Sequence, residues 1–269
     1  MDVRSLTSCV FTVMLCACQQ PPFADQAQQA SPSTVGSTSA PQSIPAQPEG
    51  RAMHNTDSSP AAAANAALDS QGRLSLTIGD LSLQLTASNC TEFVDTVQHC
   101  DGGATVAIRG PQGIAQSLQV DTIYVNSAAT AYRGSLAQDY QQHGYTFVLG
   151  DLNGDGRDDL MIATGREGGY GGRSYDVFLF EPKSTTFVRS EAMTELMKGA
   201  NAPFSVNADG SLALSFTDGC CLHVFETYKV HGGDAVLVER VSEDSTDSKK
   251  PVTKIERLVD GKLQEVPSP

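Results

Sequence analysis

The sequence predicts an all-β domain, a propeller-like or sandwich array of short antiparallel strands with one short helix. Three observations carry this: many short apolar runs at regular spacing, Gly- and Asp-rich turns between them, and a single stretch with helical periodicity. The regular pattern begins near Leu68. Leu74, Leu76 and Ile78 alternate with polar residues, Gly79-Asp80 follows, and Leu81, Leu83 and Leu85 alternate again, which reads as a hairpin. Further strand-like runs fall at 104–109, 118–125, 145–149, 160–164, 175–180 and 186–188. A second group falls at 204–206, 212–216, 222–230, 235–240, 253–259 and 262–266. Ala208-Asp209-Gly210, Gly232-Gly233-Asp234 and Asp260-Gly261 supply turns between them, since Gly and Asp tolerate turn backbone conformations. Ser190 is placed to cap the one helix. Ala192, Met193, Leu196 and Met197 form its apolar face, and Gly199 ends it.

The chain has 269 residues, 18 basic and 31 acidic, for a net charge of −13. So negative a chain is a poor match for nucleic acid, which needs a basic face for its phosphates. The longest apolar stretch, residues 6–17, is too short to span a bilayer and has the shape of a secretory signal. Its positive n-region is weak, because Asp2 offsets Arg4. Leu15-Cys16-Ala17-Cys18 resembles the lipobox of bacterial lipoproteins. The resemblance implies cleavage before Cys18, lipidation of that residue and anchoring to a membrane. Gln19, in place of the Asp associated with inner-membrane retention, directs the expectation to the outer membrane. From Gln19 to Ala66, Pro, Ser, Gln and Ala dominate, and such a segment buries too little to offset its ordering entropy. As a flexible coil its 48 residues reach about 40 Å. The expected organisation is a signal peptide at 1–17, a lipid-anchored disordered tether at 18–67 and an all-β domain at 68–269.

Cys9, Cys16 and Cys18 belong to the signal and lipid site, which leaves Cys90, Cys100, Cys220 and Cys221 in the domain. An even number in an exported protein points to disulfides. Pairing Cys90 with Cys100 closes a short loop and leaves Cys220–Cys221 as a vicinal pair; crossed pairing is the alternative.

Asp151-Leu152-Asn153-Gly154-Asp155-Gly156-Arg157-Asp158-Asp159 is the most informative stretch. Counting from Asp151, side-chain oxygens fall at positions one, three, five and nine, with glycine at six for a sharp turn. A hard cation such as calcium wants these ligands, with the backbone carbonyl of Arg157 added at seven. Position twelve is Ile162, not the bidentate Glu of an EF-hand. Strand-like runs, not helices, flank the loop. The stretch resembles the calcium loops of FG-GAP (integrin-type) propeller repeats, with Asp158 as a bystander facing solvent. Three carboxylates so close repel unless a cation sits among them. Only one copy of the motif is present, so the expected calcium is structural rather than a sensor.

Next comes Gly165-Arg166-Glu167-Gly168-Gly169-Tyr170-Gly171-Gly172-Arg173. A tyrosine flanked by two glycines on each side has no core to enter, so it is either displayed at a loop tip or folded back onto the sheet. Tyr and Arg are residue types that anchor interfaces. The stretch is not a phosphate loop, because no Lys-Ser/Thr follows. Catalytic signals are sparse. The five histidines, His54, His99, His143, His223 and His231, are scattered. Gly-x-Ser-x-Gly, His-Glu-x-x-His and Cys-x-x-Cys do not occur.

Taken together, the lipobox, tether, all-β domain, FG-GAP-like loop and glycine-rich tyrosine loop resemble one family. It is that of the periplasmic immunity lipoproteins protecting bacteria that kill rivals with a type IV secretion system. The likeness runs from Cys18 to about Val266 and is most specific over 151–173. It implies a non-catalytic inhibitor, anchored by Cys18, that plugs the active site of a lysozyme-like peptidoglycan hydrolase effector when Ca2+ is bound. Tyr170 would fill a sugar subsite, Arg166 or Arg173 would pair with the catalytic acid, and Glu167 lies in the same contact loop. The other readings are an adhesion or scaffold module, disfavoured by the single repeat, and a cell-wall hydrolase.

Overall fold

The computed structural model describes residues 62–267. The expected signal at 1–17, the lipid site Cys18 and the tether through residue 61 lie outside them. The described chain opens with β1 (Ala62–Ala64), β2 (Arg73–Ile78) and β3 (Leu81–Ala87). A small hairpin follows, β4 (Cys90–Val94) and β5 (Val97–Cys100). Then come β6 (Ala104–Arg109), β7 (Ala115–Val120), β8 (Ile123–Asn126) and β9 (Ala131–Arg133). β10 (Phe147–Gly150), β11 (Asp159–Gly165), β12 (Ser174–Glu181) and β13 (Thr186–Arg189) lead to the helix α1 (Glu191–Leu196). The last part is β14 (Ser205–Val206), β15 (Leu212–Asp218), β16 (Leu222–His231), β17 (Asp234–Asp244), β18 (Val252–Val259) and β19 (Lys262–Val266).

These strands form four sheets, ordered β2-β3-β6-β7, β4-β5-β8, β1-β9-β10-β11-β12-β13 and β14 through β19 in sequence. The architecture is all-β and mostly antiparallel with one short helix, as the sequence predicts. The one parallel pair among the described residues is β9 with β10.

The sheet containing β10, β11 and β12 positions the site, and it is buried on both faces. Alternation shows how. Phe147, Leu149, Leu160, Ile162, Phe178 and Phe180 join one core with Leu83, Leu85, Val106 and Ile108 of the four-stranded sheet. Val148, Met161, Ala163, Tyr175, Val177 and Leu179 join a second core with Met193 of α1, Met197 at its C-cap, and Leu212 and Leu214. Successive side chains point to opposite faces, so a strand covered on both sides reads as a continuous apolar run. The helix forms as expected: the Ser190 hydroxyl accepts the Met193 N–H at 3.3 Å, and Gly199 follows it with a φ of +79°.

The structure revises three expectations. The run at 118–125 is two strands in different sheets: Val120 pairs with Ala104, whereas Ile123 pairs with Cys100. Leu118, Val120, Ile123 and Val125 all line the same core, so the apolar pattern continues although the backbone partners change. The fold also begins before 68, since β1 pairs with β9 and Thr130 Oγ1 ties to the backbone of Ala66 at 2.7 Å. β4, β5 and β9 are strands that the pattern does not announce.

The calcium-type loop and the tyrosine loop

The loop between β10 and β11 is wound around its own side chains. Asp151 Oδ1 accepts the N–H of Gly154 at 2.7 Å and of Asp155 at 3.1 Å, and its Oδ2 accepts that of Gly156 at 2.9 Å. Asn153 Oδ1 accepts the Asp155 N–H at 3.0 Å, and Asp155 Oδ1 the Arg157 N–H at 2.9 Å. Gly154 and Gly156 take φ of +76° and +81°, which any Cβ would strain. Asp159 is wholly buried; its oxygens accept Leu152 N–H at 2.9 Å and Phe180 N–H at 2.8 Å. Burial pushes its carboxyl up to about 7, against the pull of those two N–H groups and with help from the charges of Asp155 and Asp151. Leu152, inside the loop, plugs the second core.

Every donor here is an oxygen, so the set suits a hard cation. Among the described residues no group of three or more His, Cys, Asp and Glu side chains is drawn together as a metal cluster. Asp158 is not a bystander. It ion-pairs with Arg133 of β9, which joins the loop to the neighbouring strand. The Arg157 guanidinium lies 5.9 Å from the Phe180 ring centre, leaving only its carbonyl for a metal.

The tyrosine loop is displayed and braced. Tyr170 is 79% exposed and holds a φ of +54°, unusual for a non-glycine. Gly169 N–H donates to Ala200 O at 2.8 Å, Gly199 N–H to Glu167 O at 2.7 Å, and Gly168 N–H to Gly172 O at 3.1 Å. The Tyr170 hydroxyl donates to Gly219 O at 2.6 Å. Arg173 is half-buried and donates to Gly144 O, so it supports the base of the loop. Arg166 and Glu167 are exposed. Arg166 stacks its guanidinium 4.9 Å from the centre of Phe93. Phe93 and its neighbour Tyr124 were not singled out by the sequence; the only signal was two apolar residues, Phe93-Val94, between Cys90 and Cys100.

The disulfides are Cys90–Cys100, joining paired residues of β4 and β5, and the vicinal Cys220–Cys221 in the turn between β15 and β16. His99 stacks on Tyr124 at 4.4 Å, and His223 in β16 has its Nδ1 3.4 Å from the Thr217 hydroxyl.

Residues 143–175 match the FG-GAP repeat, a span covering both loops. Comparison with the curated proteins finds no match. A solved structure described as that of a Xanthomonas type IV secretion system related protein is similar over 77% of this chain and 99% of its own, with a TM-score of 0.73 and 38% identity. With an FG-GAP repeat at its centre and that likeness over nearly the whole of the solved chain, this protein belongs to the same family as the Xanthomonas type IV secretion system related protein.

Proposed function

We propose that this protein is an immunity protein of the bacterial envelope that binds a lysozyme-like peptidoglycan hydrolase effector and blocks its cleft with the loop carrying Tyr170. The observation that carries the reading is the display of Tyr170, 79% exposed on a loop pinned to the 199–201 segment, at the far end of β11 from the FG-GAP calcium-type loop. Similarity to a secretion-system related protein supports the setting. Such hydrolases work in an open cleft with a pair of carboxylates. An exposed aromatic offers the cleft a flat apolar body, and Arg166 offers a cation to a carboxylate at its rim. The protein acts by occupancy and turns nothing over.

Asp151, Asn153, Asp155 and Asp159, with the Arg157 carbonyl, would hold calcium. The ion supplies a divalent charge that offsets the crowded carboxylates. The tyrosine loop lies at the opposite end of β11 from these residues, so its order before the partner arrives comes from its own bonds to Ala200, Gly199 and Gly219, not from the ion, and that order lowers the cost of binding. Cys18 carries the lipid and the segment to residue 61 the tether, so the inhibitor faces the periplasm from the outer membrane.

The test is peptidoglycan hydrolysis by c-type lysozyme and by lysozyme-like effectors of type IV systems, with and without the purified protein, in calcium and then in chelator. Stoichiometric inhibition in calcium that weakens in chelator is the expected result. No inhibition of any enzyme in the panel would overturn the reading, and glycan release by the protein alone would replace it with a hydrolase.

A further inference from the structure

Two cross-linked turns touch the tyrosine loop. Arg166 of that loop touches the hairpin of β4 and β5, with Phe93 46% and Val94 49% exposed near its tip. The turn is made by Asp95 at a φ of +43°, and Cys90–Cys100 ties the far end. Phe93 is not laid flat. The Tyr124 ring meets it edge-on at 5.6 Å, and Arg166 of the tyrosine loop sits over its face. The Gly219 carbonyl that receives the Tyr170 hydroxyl is next to the Cys220–Cys221 pair, of which Cys220 is exposed. Neither disulfide bridges two sheets. Both instead tie turns that contact this one loop.

One glycine-rich loop is a small contact. A stable protein–protein interface buries about 800 Å² on each partner, and its central anchors need a surround that excludes water. The residues next to Tyr170 are glycines and add little area, so that surround must come from neighbouring elements. Exposed apolar residues that are linked to an anchor and held by covalent ties are suited to supply it, because ordering them has already been done on folding.

We propose that the Phe93–Val94 hairpin tip and the Gly219–Cys221 turn are two further contact arms for the same hydrolase, gripping the rims of the cleft that Tyr170 enters. This rests on the inhibitor reading above. The Phe93 arm supplies an apolar contact beside the Arg166 cation, and the Cys220–Cys221 arm a rigid one beside the Tyr170 hydroxyl.

The experiment measures the dissociation constant of the whole protein, in calcium, for the lysozyme-like enzyme that the wild type inhibits. Three variants are compared: Phe93→Ser with Val94→Ser, Cys220→Ser with Cys221→Ser, and Tyr170→Ala. Each of the two arm variants is expected to weaken binding roughly tenfold or more. Phe93→Ser and Arg166→Ala are expected to be non-additive in a double-mutant cycle, since they share one contact. Val94→Asp alone, confined to an exposed position, separates a lost contact from a loosened hairpin. If Tyr170→Ala abolishes inhibition while both arm variants and Val94→Asp bind like wild type, the arms are refuted and the inhibitor reading stands. If Tyr170→Ala binds like wild type, or no enzyme is inhibited, the reading fails and the arms fall with it.

Discussion

Asp159 holds two backbone N–H groups from different parts of the chain, Leu152 at the start of the loop and Phe180 on β12, while being wholly buried. Its carboxyl is pushed up to about 7, chiefly by burial. A carboxyl raised in the folded state stabilises the fold fully below its unfolded value of about 3.9, and that contribution is lost as the pH rises through about 7. Without calcium, Asp159 therefore becomes a liability at alkaline pH. A cation must displace the same proton, so calcium affinity should fall by about tenfold between pH 8 and pH 6. Calorimetric titration at the two pH values checks this, and equal affinities would refute it. Leu152, 1% exposed, gives a second test at this scale. Leu152→Ala should cost about 2–5 kcal/mol in a denaturant melt, because it empties a site in the core shared by the central sheet, α1 and β15. Asp158 shows the limit of reading single residues: its spacing in the loop says nothing of Arg133, which only folding brings to it.

The elements were legible where one face or both faces of a strand are apolar, and illegible where the chain's partners decide. β2 and β3 pair through the two-residue Gly79-Asp80 turn that their alternation announces. β10 and β11 flank the loop as the runs at 145–149 and 160–164 require. The hairpin of β4 and β5 leaves no periodic signal because β4 is almost wholly exposed, with no buried face to mark the sequence. β9 is three residues long, and its pairing with β1 and β10 depends on residues far away in the chain. The candidate site was legible for a different reason: ligand spacing within one loop is local, as is a run of glycines around a tyrosine. What sequence could not supply is the bracing, since Gly219, Ala200 and Phe93 approach that run only in the fold. The left-handed Tyr170 separates display from stability. Tyr170→Gly relieves backbone strain of order 1 kcal/mol but also removes the bond to Gly219 and frees the unfolded chain, so the melting temperature should move little. On the proposed inhibitor function, inhibition should nevertheless be lost. A variant that inhibits like wild type would remove Tyr170 from the contact.

At the scale of the whole molecule, the calcium-type loop is a joint in the central sheet rather than an ornament on the surface. It connects β10 to β11, whose residues supply both cores, and it is tied sideways through Asp158–Arg133 and Asp159–Phe180. An ion held there by native residues alone stabilises the fold by mass action, about 2.7 kcal/mol when free calcium stands at a hundred times its dissociation constant. Because the loop is joined to both cores, that stabilisation should appear in the unfolding of the described domain and not as the melting of one segment. Scanning calorimetry in calcium and in chelator should therefore show one main transition moving by several degrees, with the midpoint rising with the logarithm of calcium concentration. Asp151→Ala, which removes the acceptor of three loop N–H groups, should abolish the calcium response and unfold at the chelator temperature or below it. A chelator-insensitive midpoint in the wild type would mean that the loop closes on its own hydrogen bonds. The carboxylates of Asp151, Asp155 and Asp159 would then be tolerated by N–H donors alone, in a chain already carrying a net charge of −13. The reading of that loop as a metal seat would be lost, while the bracing of Tyr170 by the 199–201 segment and Gly219 would remain.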